Sequence, residues 1–452
     1  MTAAAPDPTG AAPWPRTALF EDRRLVALGG VDVRELAERF HTPLYVLDAE
    51  ELVGRMRAYR EALGPGVAVV YAAKALCVTG VLQLAAAQGL WVDVASGGEL
   101  ATAVRAAVPP QRIVFHGNNK SDSELRAALE LGVGRMMVDS FRELRRLSTI
   151  AVELGQRARV LLRVTPGVEA HTHEYIATGQ DDSKFGFTLS AGLAHQAVSE
   201  ALALPGVDVR GVHAHIGSQV LTLAAFERSA HLLVGLLADV SERTGAVLTE
   251  LNLGGGLGVA HLPGEESVPL DRYAATLHQA IAAACAARRF PVPALAVEPG
   301  RSVVGPAGVT LYRVGTVKEI PGVRTYVSVD GGMSDNPRPA LYGARYSFAA
   351  AGAPSSGPTG GSRTVTVAGK HCESGDLLGR DVELPADLGE GDLLAVAATG
   401  AYTHAMASNY NRLARPAMVL VHGGAARLLV RRETIDDVLA RDVLLTPDGL
   451  VR

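Results

Sequence analysis

The sequence has few cysteines and no long apolar run, and each shortage excludes a class of protein. Its three cysteines, Cys77, Cys285 and Cys372, are odd in number and far apart, so neither a disulfide framework nor a zinc-binding cysteine pair is expected. No stretch approaches the ~18 consecutive apolar residues that a membrane-spanning helix needs. The N-terminus has no basic segment followed by an apolar core, so it does not have the pattern of a secretory signal. We therefore expect a cytoplasmic protein with no membrane partner.

The sequence also lacks a large excess of positive or negative charge. The 43 Lys and Arg residues against 47 Asp and Glu give a net charge of −4, which does not suggest a nucleic-acid-binding surface or an acidic tail. Hydrophobic residues make up 48% of the chain and charged residues 20%, values that exclude disorder as the main state.

What the sequence contains instead is a regular alternation. From about residue 67, eight β-branched runs alternate with amphipathic stretches: Val67–Ala73, Leu90–Ala95, Arg112–His116, Arg135–Asp139, Arg159–Val164, Val209–His215, Leu248–Leu253 and Ala294–Glu298. Three predicted helices open with capping boxes, Ser96/Glu99, Ser121/Glu124 and Ser140/Glu143. The alternation predicts a (β/α)8 barrel, although an open doubly wound sheet has the same order. A dinucleotide fingerprint is absent, because Val259 stands where its last glycine is required.

After residue 301 the pattern changes to short β-type runs with polar or glycine-rich connections, which predicts a second, all-β domain. Ala349–Ser362 is interpreted as a low-complexity loop in that domain. The predicted organisation is a flexible tail (1–18), leading strands that join the β domain (19–46), the barrel (47–300) and the β domain (301–452).

Three features at predicted strand ends point to one cofactor. Lys74 follows a run that a barrel wall would bury, and desolvation lowers the pKa of such an amine, as a Schiff-base lysine needs. Gly254–Gly256 leaves backbone N–H groups open to a phosphate, and Glu298 at a barrel mouth needs a cationic partner. The alternatives are a lysine that reaches solvent, an ordinary turn and an ion pair with Arg301. Taken together, the three features indicate pyridoxal 5'-phosphate.

Longer motifs strengthen that hypothesis. They are YAAKAL at 71–76, HIGSQ at 215–219, NLGGGLG at 252–258, EPGRSVVGPAG at 298–308, DGGMSDNPRPALYGA at 330–344, CESGD at 372–376 and AYTHAMASNYN at 401–411. From about residue 40 onward the chain resembles the diaminopimelate decarboxylase family. The resemblance implies an alanine-racemase-like fold, in which a pyridoxal-phosphate-binding barrel precedes a β domain, and decarboxylation of meso-2,6-diaminopimelate to L-lysine.

The resemblance also implies roles for individual residues. Lys74 would hold the cofactor as a Schiff base, and His215 would stack on its ring. Glu298 would keep the pyridine nitrogen protonated; alanine racemases of this fold have an arginine there, so Glu298 favours a decarboxylase. The full set of implied cofactor-binding residues is Lys74, Asp93, His215, Ser218, Gly255, Gly256, Glu298, Gly300, Arg301 and Tyr402.

The implied substrate-binding residues are Arg301, Arg338, Tyr342, Glu373 and Tyr402. The arginines would bind the distal carboxylate of diaminopimelate, because a guanidinium grips a carboxylate with two hydrogen bonds, and Glu373 would bind the distal ammonium. The alternative for Arg338 and Tyr342 is a surface salt bridge and a packed ring.

Cys372 is implied as the proton donor, with inert packing as its alternative. In the family Cys372 and Glu373 reach the neighbouring subunit's barrel, which implies a homodimer with shared sites. The segment 171–187 is interpreted as a loop that covers the site, and its His171 and His173 as loop residues, so no metal is expected. A decarboxylase of ornithine, arginine or a related amino acid is the alternative function. A non-catalytic homologue is disfavoured because Lys74 and Cys372 are both present.

Overall fold

The structure is a computed structural model that describes residues 13–168, 183–353 and 360–445. It contains two compact units. The first comprises Glu50–Ala307 with Gly400–Ala405, and the second comprises the chain up to Ala49, Gly308–Thr399 and the chain from Met406 onward. The barrel boundary expected at residue 300 therefore falls at Ala307. No helix among the described residues is long and apolar enough to cross a membrane.

Short elements precede the first unit. They are β1 (Leu19–Glu21), β2 (Arg24–Leu28), β3 (Val31–Asp32), α1 (Val33–Phe40) and β4 (Leu44–Asp48). The first unit then supplies β5 (Val67–Ala72), β6 (Trp91–Val94), β7 (Ile113–Phe115), β8 (Arg135–Val138), β9 (Ala158–Thr165), β10 (Phe187–Thr188), β11 (Val207–His213), β12 (Glu250–Asn252) and β13 (Ala294–Val297).

Eight of these strands close into a parallel barrel in the order β5–β6–β7–β8–β9–β11–β12–β13, with β10 pairing as an extra strand beside β9. Closure is made by β13 and β5, where Val297 lies opposite Val69. That pairing confirms the predicted (β/α)8 barrel and excludes the open doubly wound sheet. Each of the eight predicted runs overlaps one barrel strand.

One helix precedes the barrel strands and the others follow them along the chain. They are α2 (Ala49–Leu63), α3 (Thr79–Ala87), α4 (Gly97–Arg105), α5 (Asp122–Leu131), α6 (Phe141–Glu153), α7 (Leu193–Ala203), α8 (Leu223–Thr244), α9 (Leu270–Arg288) and α10 (Arg301–Val304). The helix α10 explains the shifted boundary, because Val304 and Gly305 donate backbone hydrogen bonds to Gly300 and Arg301 and keep this segment on the barrel.

Only one of the three predicted capping boxes is complete. At α5, Ser121 accepts the N–H of Glu124, and the Glu124 carboxylate accepts the N–H of Ser121. At α4 and α6 the serine caps the helix as predicted, but each glutamate accepts a hydrogen bond from the residue before the serine, Ala95 or Asp139. The prediction was wrong in this detail because those carboxylates reach one residue further back and brace the end of the preceding strand.

The barrel interior is layered. Its middle layer is an apolar cluster of Val70, Val114, Met137 and Leu161, with Trp91 packed against it. Because side chains alternate along a strand, the residues two positions further on point the same way. On β6, β7, β8 and β9 those residues form a buried polar layer at the C-terminal ends of the strands, Asp93, His116, Asp139 and Arg163, whereas β5 has Ala72 there.

The second unit contains the remaining elements. They are β14 (Gly308–Ile320), β15 (Arg324–Val329), α11 (Arg338–Tyr342), β16 (Phe348–Ala351), β17 (Ser362–Ala368), β18 (Leu377–Pro385), β19 (Leu393–Val396), β20 (Ala417–His422), β21 (Ala425–Val430) and α12 (Ile435–Leu439). The leading strands join this sheet, since β4 pairs with both β14 and β20 and β2 pairs with β16. The predicted loop at Ala349–Ser362 is wrong at its start, because Phe348–Ala351 pairs with β19 despite its alanine-rich sequence.

Candidate active site

A pocket at the C-terminal end of the barrel brings the predicted cofactor residues together. Ten of its lining residues are the ten implied by the sequence: Lys74, Asp93, His215, Ser218, Gly255, Gly256, Glu298, Gly300, Arg301 and Tyr402. Ala72 and Leu257 complete the lining. They come from several strand ends and from the returning segment Gly400–Ala405, all within the barrel unit.

Glu298 is the centre of a buried hydrogen-bonded group. Its Oε1 lies 2.9 Å from His116 Nε2 and accepts from Asn252 Nδ2 at 2.8 Å, and its Oε2 lies 3.1 Å from His213 Nε2. All four side chains are buried. A buried carboxylate needs such donors to remain charged.

The two imidazoles and the carboxylate shift one another's pKa. Burial lowers the pKa of His116 and lowers that of His213 to about 4. Burial alone would raise the pKa of Glu298, but attraction and hydrogen bonds from the two histidines outweigh it and hold the pKa well below its usual value. Both rings are therefore neutral near pH 7 and stabilise an anionic Glu298 as Nε2–H donors.

Lys74 lies in the turn after β5, one residue beyond Ala73, which is bonded to the end of β6. Asp93 Oδ1 accepts the backbone N–H of Ala73 at 3.1 Å and so fixes the turn after β5. Burial and then the nearby charge of Glu298 raise the pKa of Asp93, against the opposing effect of Lys74. The side chain of Lys74 itself is exposed, contrary to the expected desolvation, because it extends past the hydrogen-bonded barrel wall into the pocket.

The three glycines after β12 allow their backbone to approach neighbouring chain segments. A Cβ at Gly255 would lie 2.0 Å from the Glu298 carbonyl oxygen, and one at Gly256 would lie 2.3 Å from that of Gly217. Gly254 and Gly256 also have positive φ angles, 65° and 115°. The glycines are thus required by packing as well as by the open N–H groups that the sequence suggested.

Beside this turn lies a cationic group. Arg301 Nη2 donates to Ser218 Oγ at 2.9 Å, and its guanidinium carbon lies 4.7 Å from the centre of the Tyr402 ring. Tyr402 reaches the pocket because its N–H donates to the Ala75 carbonyl at 2.9 Å, with φ at 59°. Arg301, Ser218 and Tyr402 could therefore hold a phosphate.

His215 is fixed by the glycine turn. The N–H of Gly255 donates to His215 Nδ1 at 3.3 Å. Burial, followed by the charges of Lys74 and Arg163, holds the pKa of His215 well below its usual value, so the ring is neutral. A neutral ring that lines the pocket suits stacking on an aromatic cofactor.

The remaining predicted residues belong to the second unit. Arg338 is buried and donates to the Tyr346 hydroxyl at 2.8 Å, so it is not a surface salt bridge, and its Nε has no partner among the described residues. Tyr342 is half-buried at the end of α11, and Cys372 and Glu373 are exposed. The exposure of Cys372 argues against inert packing.

A rigid support surrounds Cys372. Asn411 Oδ1 accepts the N–H of Cys372 at 3.0 Å. Next to it, the Nδ1–H of the buried His371 donates to Asp376 Oδ2 at 2.8 Å, and the His371 ring stacks on Tyr410. Asp376 also accepts the N–H groups of His371 and Met333. Cys372 therefore projects from a braced turn.

Sequence reasoning did not assign the partners of Glu298. His116 and His213 lie at strand ends. His213 is two residues before His215, so strand alternation was a signal that His213 lies on the same face as His215, inside the barrel. Asn252 ends β12 in the same way. The predicted covering loop falls largely outside the described residues, as do His171 and His173. Its described end is held by Asp139, which accepts the N–H of Gly186 at 2.5 Å.

His116, His213 and Glu298 also have the composition of a metal site, and their ligand atoms lie within 4.8 Å of one another. However, each imidazole already bonds a different carboxylate oxygen, and Asn252 donates a third hydrogen bond. An amide N–H aimed at the carboxylate suits an anionic hydrogen-bond acceptor better than a metal ligand. The expected absence of a metal stays a prediction.

The donor set fits pyridoxal phosphate. It offers an amine at Lys74, an anionic carboxylate at Glu298 for a protonated ring nitrogen, and the Arg301–Ser218 pair for a phosphate. The neutral ring of His215 lines the same pocket.

Comparison with known proteins identifies the family. Residues 49–305 match the family model described as pyridoxal-dependent decarboxylase, pyridoxal binding domain. Diaminopimelate decarboxylase of Actinosynnema pretiosum is 50% identical over 432 residues, covering 95% of each chain, and that of Mycobacterium tuberculosis H37Rv is 46% identical over 439 residues, covering 95% of this chain and 97% of that one. The crystal structure of diaminopimelate decarboxylase from M. jannaschii in complex with L-lysine has a TM-score of 0.88 at 36% identity, covering 95% of this chain and 98% of that one. The chain therefore belongs to the diaminopimelate decarboxylase family of pyridoxal-dependent decarboxylases.

Proposed function

We propose that this chain decarboxylates meso-2,6-diaminopimelate to L-lysine and carbon dioxide. One observation carries the chemistry: a single barrel pocket contains both the amine of Lys74 and a carboxylate, Glu298, that three donors keep anionic. The substrate is supported by the relatives of 46% and 50% identity, which carry the name of that activity over nearly their whole length.

Different residues of the barrel have different roles in the reaction. Pyridoxal phosphate, when bound, supplies a protonated ring that accepts the electron pair left as carbon dioxide departs. Lys74 is the amine that attaches the cofactor, and Glu298 holds the proton on the ring nitrogen. His215 packs on the ring. Asp93 orients the turn that carries Lys74 through its hydrogen bond to Ala73. The phosphate is bound by Ser218, Gly255, Gly256, Gly300, Arg301 and Tyr402.

Selectivity comes from the end of the substrate that does not react. Diaminopimelate has an ammonium and a carboxylate there, whereas ornithine has only the ammonium. Arg338, together with Arg301, Tyr342 and Tyr402, binds the distal carboxylate, and Glu373 binds the distal ammonium. The Nε of Arg338 is buried without a hydrogen-bond partner among the residues that the structure describes, which supports this role, because a buried guanidinium N–H requires an acceptor.

Cys372 delivers the proton to the carbon atom that has lost carbon dioxide. Its thiol is exposed on a braced turn, and Glu373 follows it directly. We extend the proposal to a homodimer in which Cys372 and Glu373 act in the barrel of the neighbouring subunit. A thiol that must stay reduced, in a chain whose three cysteines are all free, supports a cytoplasmic location.

The test measures carbon dioxide and L-lysine released from meso-diaminopimelate by the purified protein, with ornithine and L-lysine as control substrates. Each reaction is run with and without added pyridoxal phosphate and with a metal chelator. We expect release from diaminopimelate alone, dependent on the cofactor and insensitive to the chelator. Activity on ornithine with none on diaminopimelate would transfer the assignment to the ornithine-type alternative.

A further inference from the structure

A cavity of about 550 Å³ lies at the N-terminal end of the barrel strands, opposite the pole that holds Lys74 and Glu298. It is lined by Arg57, Arg60, Glu61, Gly64, Pro65, Gly66, Val67, Ala68, Val69, Gly89, Trp91 and Arg112. These residues come from α2, the starts of β5 and β6, and the turn before β7. The volume lies in the range of small-molecule sites, about 300–1,000 Å³.

Three arginines of this cavity, Arg57, Arg60 and Arg112, form no ion pair with a carboxylate of the described residues. Arg57 Nε donates to the Gln88 side-chain oxygen at 2.9 Å, and Arg60 Nη1 donates to the Gln88 carbonyl at 2.7 Å. Arg112 has no side-chain partner among the described residues. By contrast, some exposed arginines elsewhere on the barrel bond carboxylates, as Arg145 does with Glu200. Glu61 lines the same cavity without pairing with any of the three.

The position of Arg60 is built into the backbone. Gly89 has a φ of 78°, and a Cβ there would lie 3.2 Å from Arg60 Nη1 and 3.3 Å from its guanidinium carbon. A side chain at residue 89 would therefore push the guanidinium away. With Gln88 fixing both Arg57 and Arg60, these two cations are held in place before any ligand arrives.

The floor of the cavity is aromatic. Trp91 is half-buried and packs against the apolar middle layer of the barrel. The guanidinium carbon of Arg135 lies 5.9 Å from the indole centre, but Arg135 is fully engaged by Glu250 through two hydrogen bonds of 2.7 and 2.6 Å. The indole therefore lines the cavity together with three arginines, and Arg135 lies over its ring.

We propose that this cavity binds a small molecule that joins a flat ring to phosphate groups, of the nucleoside diphosphate class. Guanidinium forks match phosphate oxygens in charge and geometry, and an indole face stacks on a planar ring. The three arginines and Glu61 give the lining a net charge of +2, which suits a diphosphate. The proposal does not rest on the decarboxylase assignment, because no lining residue belongs to the catalytic pocket.

The strands connect this cavity to the catalytic pole. Trp91 lies two residues before Asp93 on β6, and Val67–Val69 opens the strand that leads to Lys74. A ligand in the cavity would therefore contact the starts of the two strands whose far ends position Lys74 and Asp93.

Tryptophan fluorescence provides a local test, because Trp14 and Trp91 are the only two tryptophans. The cofactor-loaded Trp14→Phe protein is titrated with ADP, adenosine and inorganic pyrophosphate, and heats of binding are measured in parallel. We expect ADP to change the Trp91 emission saturably and to bind at least about tenfold more tightly than adenosine or pyrophosphate.

The variants are Arg112→Gln and Arg57→Gln, with Arg105→Gln as the matched control, since Arg105 is an exposed arginine outside the cavity. We expect the first two to weaken ADP binding by about tenfold or more, and the control to leave it unchanged. Retained cofactor absorbance and decarboxylation of diaminopimelate show that the variants are folded. No saturable ADP binding to the parent, or equal binding by all three variants, would overturn the proposal. Pyrophosphate binding as tightly as ADP would also overturn it, by removing the role of Trp91.

Discussion

Asn411 Oδ1 accepts the backbone N–H of Cys372 at 3.0 Å, and this hydrogen bond anchors the turn that presents the thiol. Asn411 adopts a left-handed conformation, with φ at 51° and ψ at 25°, to reach that position. The exposed thiol is thus held by its main chain, so the side chain stays accessible.

Removing this anchor should slow turnover without releasing the cofactor. For Asn411→Ala we expect kcat to fall by about three- to tenfold, because one hydrogen bond is worth roughly 1 kcal/mol. The test compares kcat, KM and cofactor absorbance with those of Cys372→Ala, for which a far larger loss of kcat is expected at unchanged cofactor content. Full turnover in Cys372→Ala would show that another group delivers the proton.

The buried histidines predict a pH dependence of stability. Because burial lowers the pKa of His213 to about 4 from 6.5, the unfolded chain binds more protons between these values. The free energy of unfolding should therefore fall as the pH drops from about 6.5 to 4, by at most about 3 kcal/mol. His213→Gln retains a donor to Glu298 but cannot titrate, so its denaturant unfolding should depend less on pH. An unchanged slope in that variant would contradict the assignment.

Neutralising Glu298 should impair chemistry more than binding. In Glu298→Gln the amide cannot hold a proton on the ring nitrogen, and we expect kcat to fall by about a hundredfold or more. The measurement pairs steady-state kinetics with the absorbance spectrum of the bound cofactor. If Glu298→Gln keeps the wild-type kcat at full cofactor occupancy, Glu298 does not hold the proton on the ring nitrogen.

Arg338 should control recognition of the distal carboxylate. Arg338→Met removes the guanidinium at similar length, and we expect KM for diaminopimelate to rise by at least about tenfold, since hydrogen bonds between charged groups contribute roughly 1.5–3 kcal/mol. Arg345→Met is the control, because Arg345 is an exposed arginine of the same unit. Equal KM values in the two variants would assign Arg338 to structure alone.

Much of the barrel could be predicted because its strands are largely buried apolar runs, and runs such as Val67–Ala73 stand out in the sequence. The closing pair of Val297 and Val69 could not be predicted by alternation, since closure depends on contacts more than 200 residues apart. The resemblance placed Tyr402 at the site. Composition had assigned it to the β domain, because nothing local shows that Gly400–Ala405 returns to the barrel.

The misses have physical causes. β16 is alanine-rich and β18 is interrupted by Gly379 and by Asp381 in a left-handed conformation, so neither has a strong strand signal. His213 was not singled out by sequence reasoning, although it lies two residues before His215 and strand alternation places the two on the same face: His213 bonds Glu298, and His215 lines the pocket. The exposure of Lys74 depends on where the barrel wall ends, which sequence patterns locate only to within a residue or two.

The most direct test of the central claim, that Lys74 holds the cofactor opposite Glu298, is borohydride reduction of the cofactor-loaded protein followed by peptide mapping. The chain has only five lysines: Lys74, Lys120, Lys184, Lys318 and Lys370. We predict that the reduced label lies on Lys74 alone and that Lys74→Ala takes up none. Label on any of the other four lysines, or none on the wild-type protein, would contradict the account.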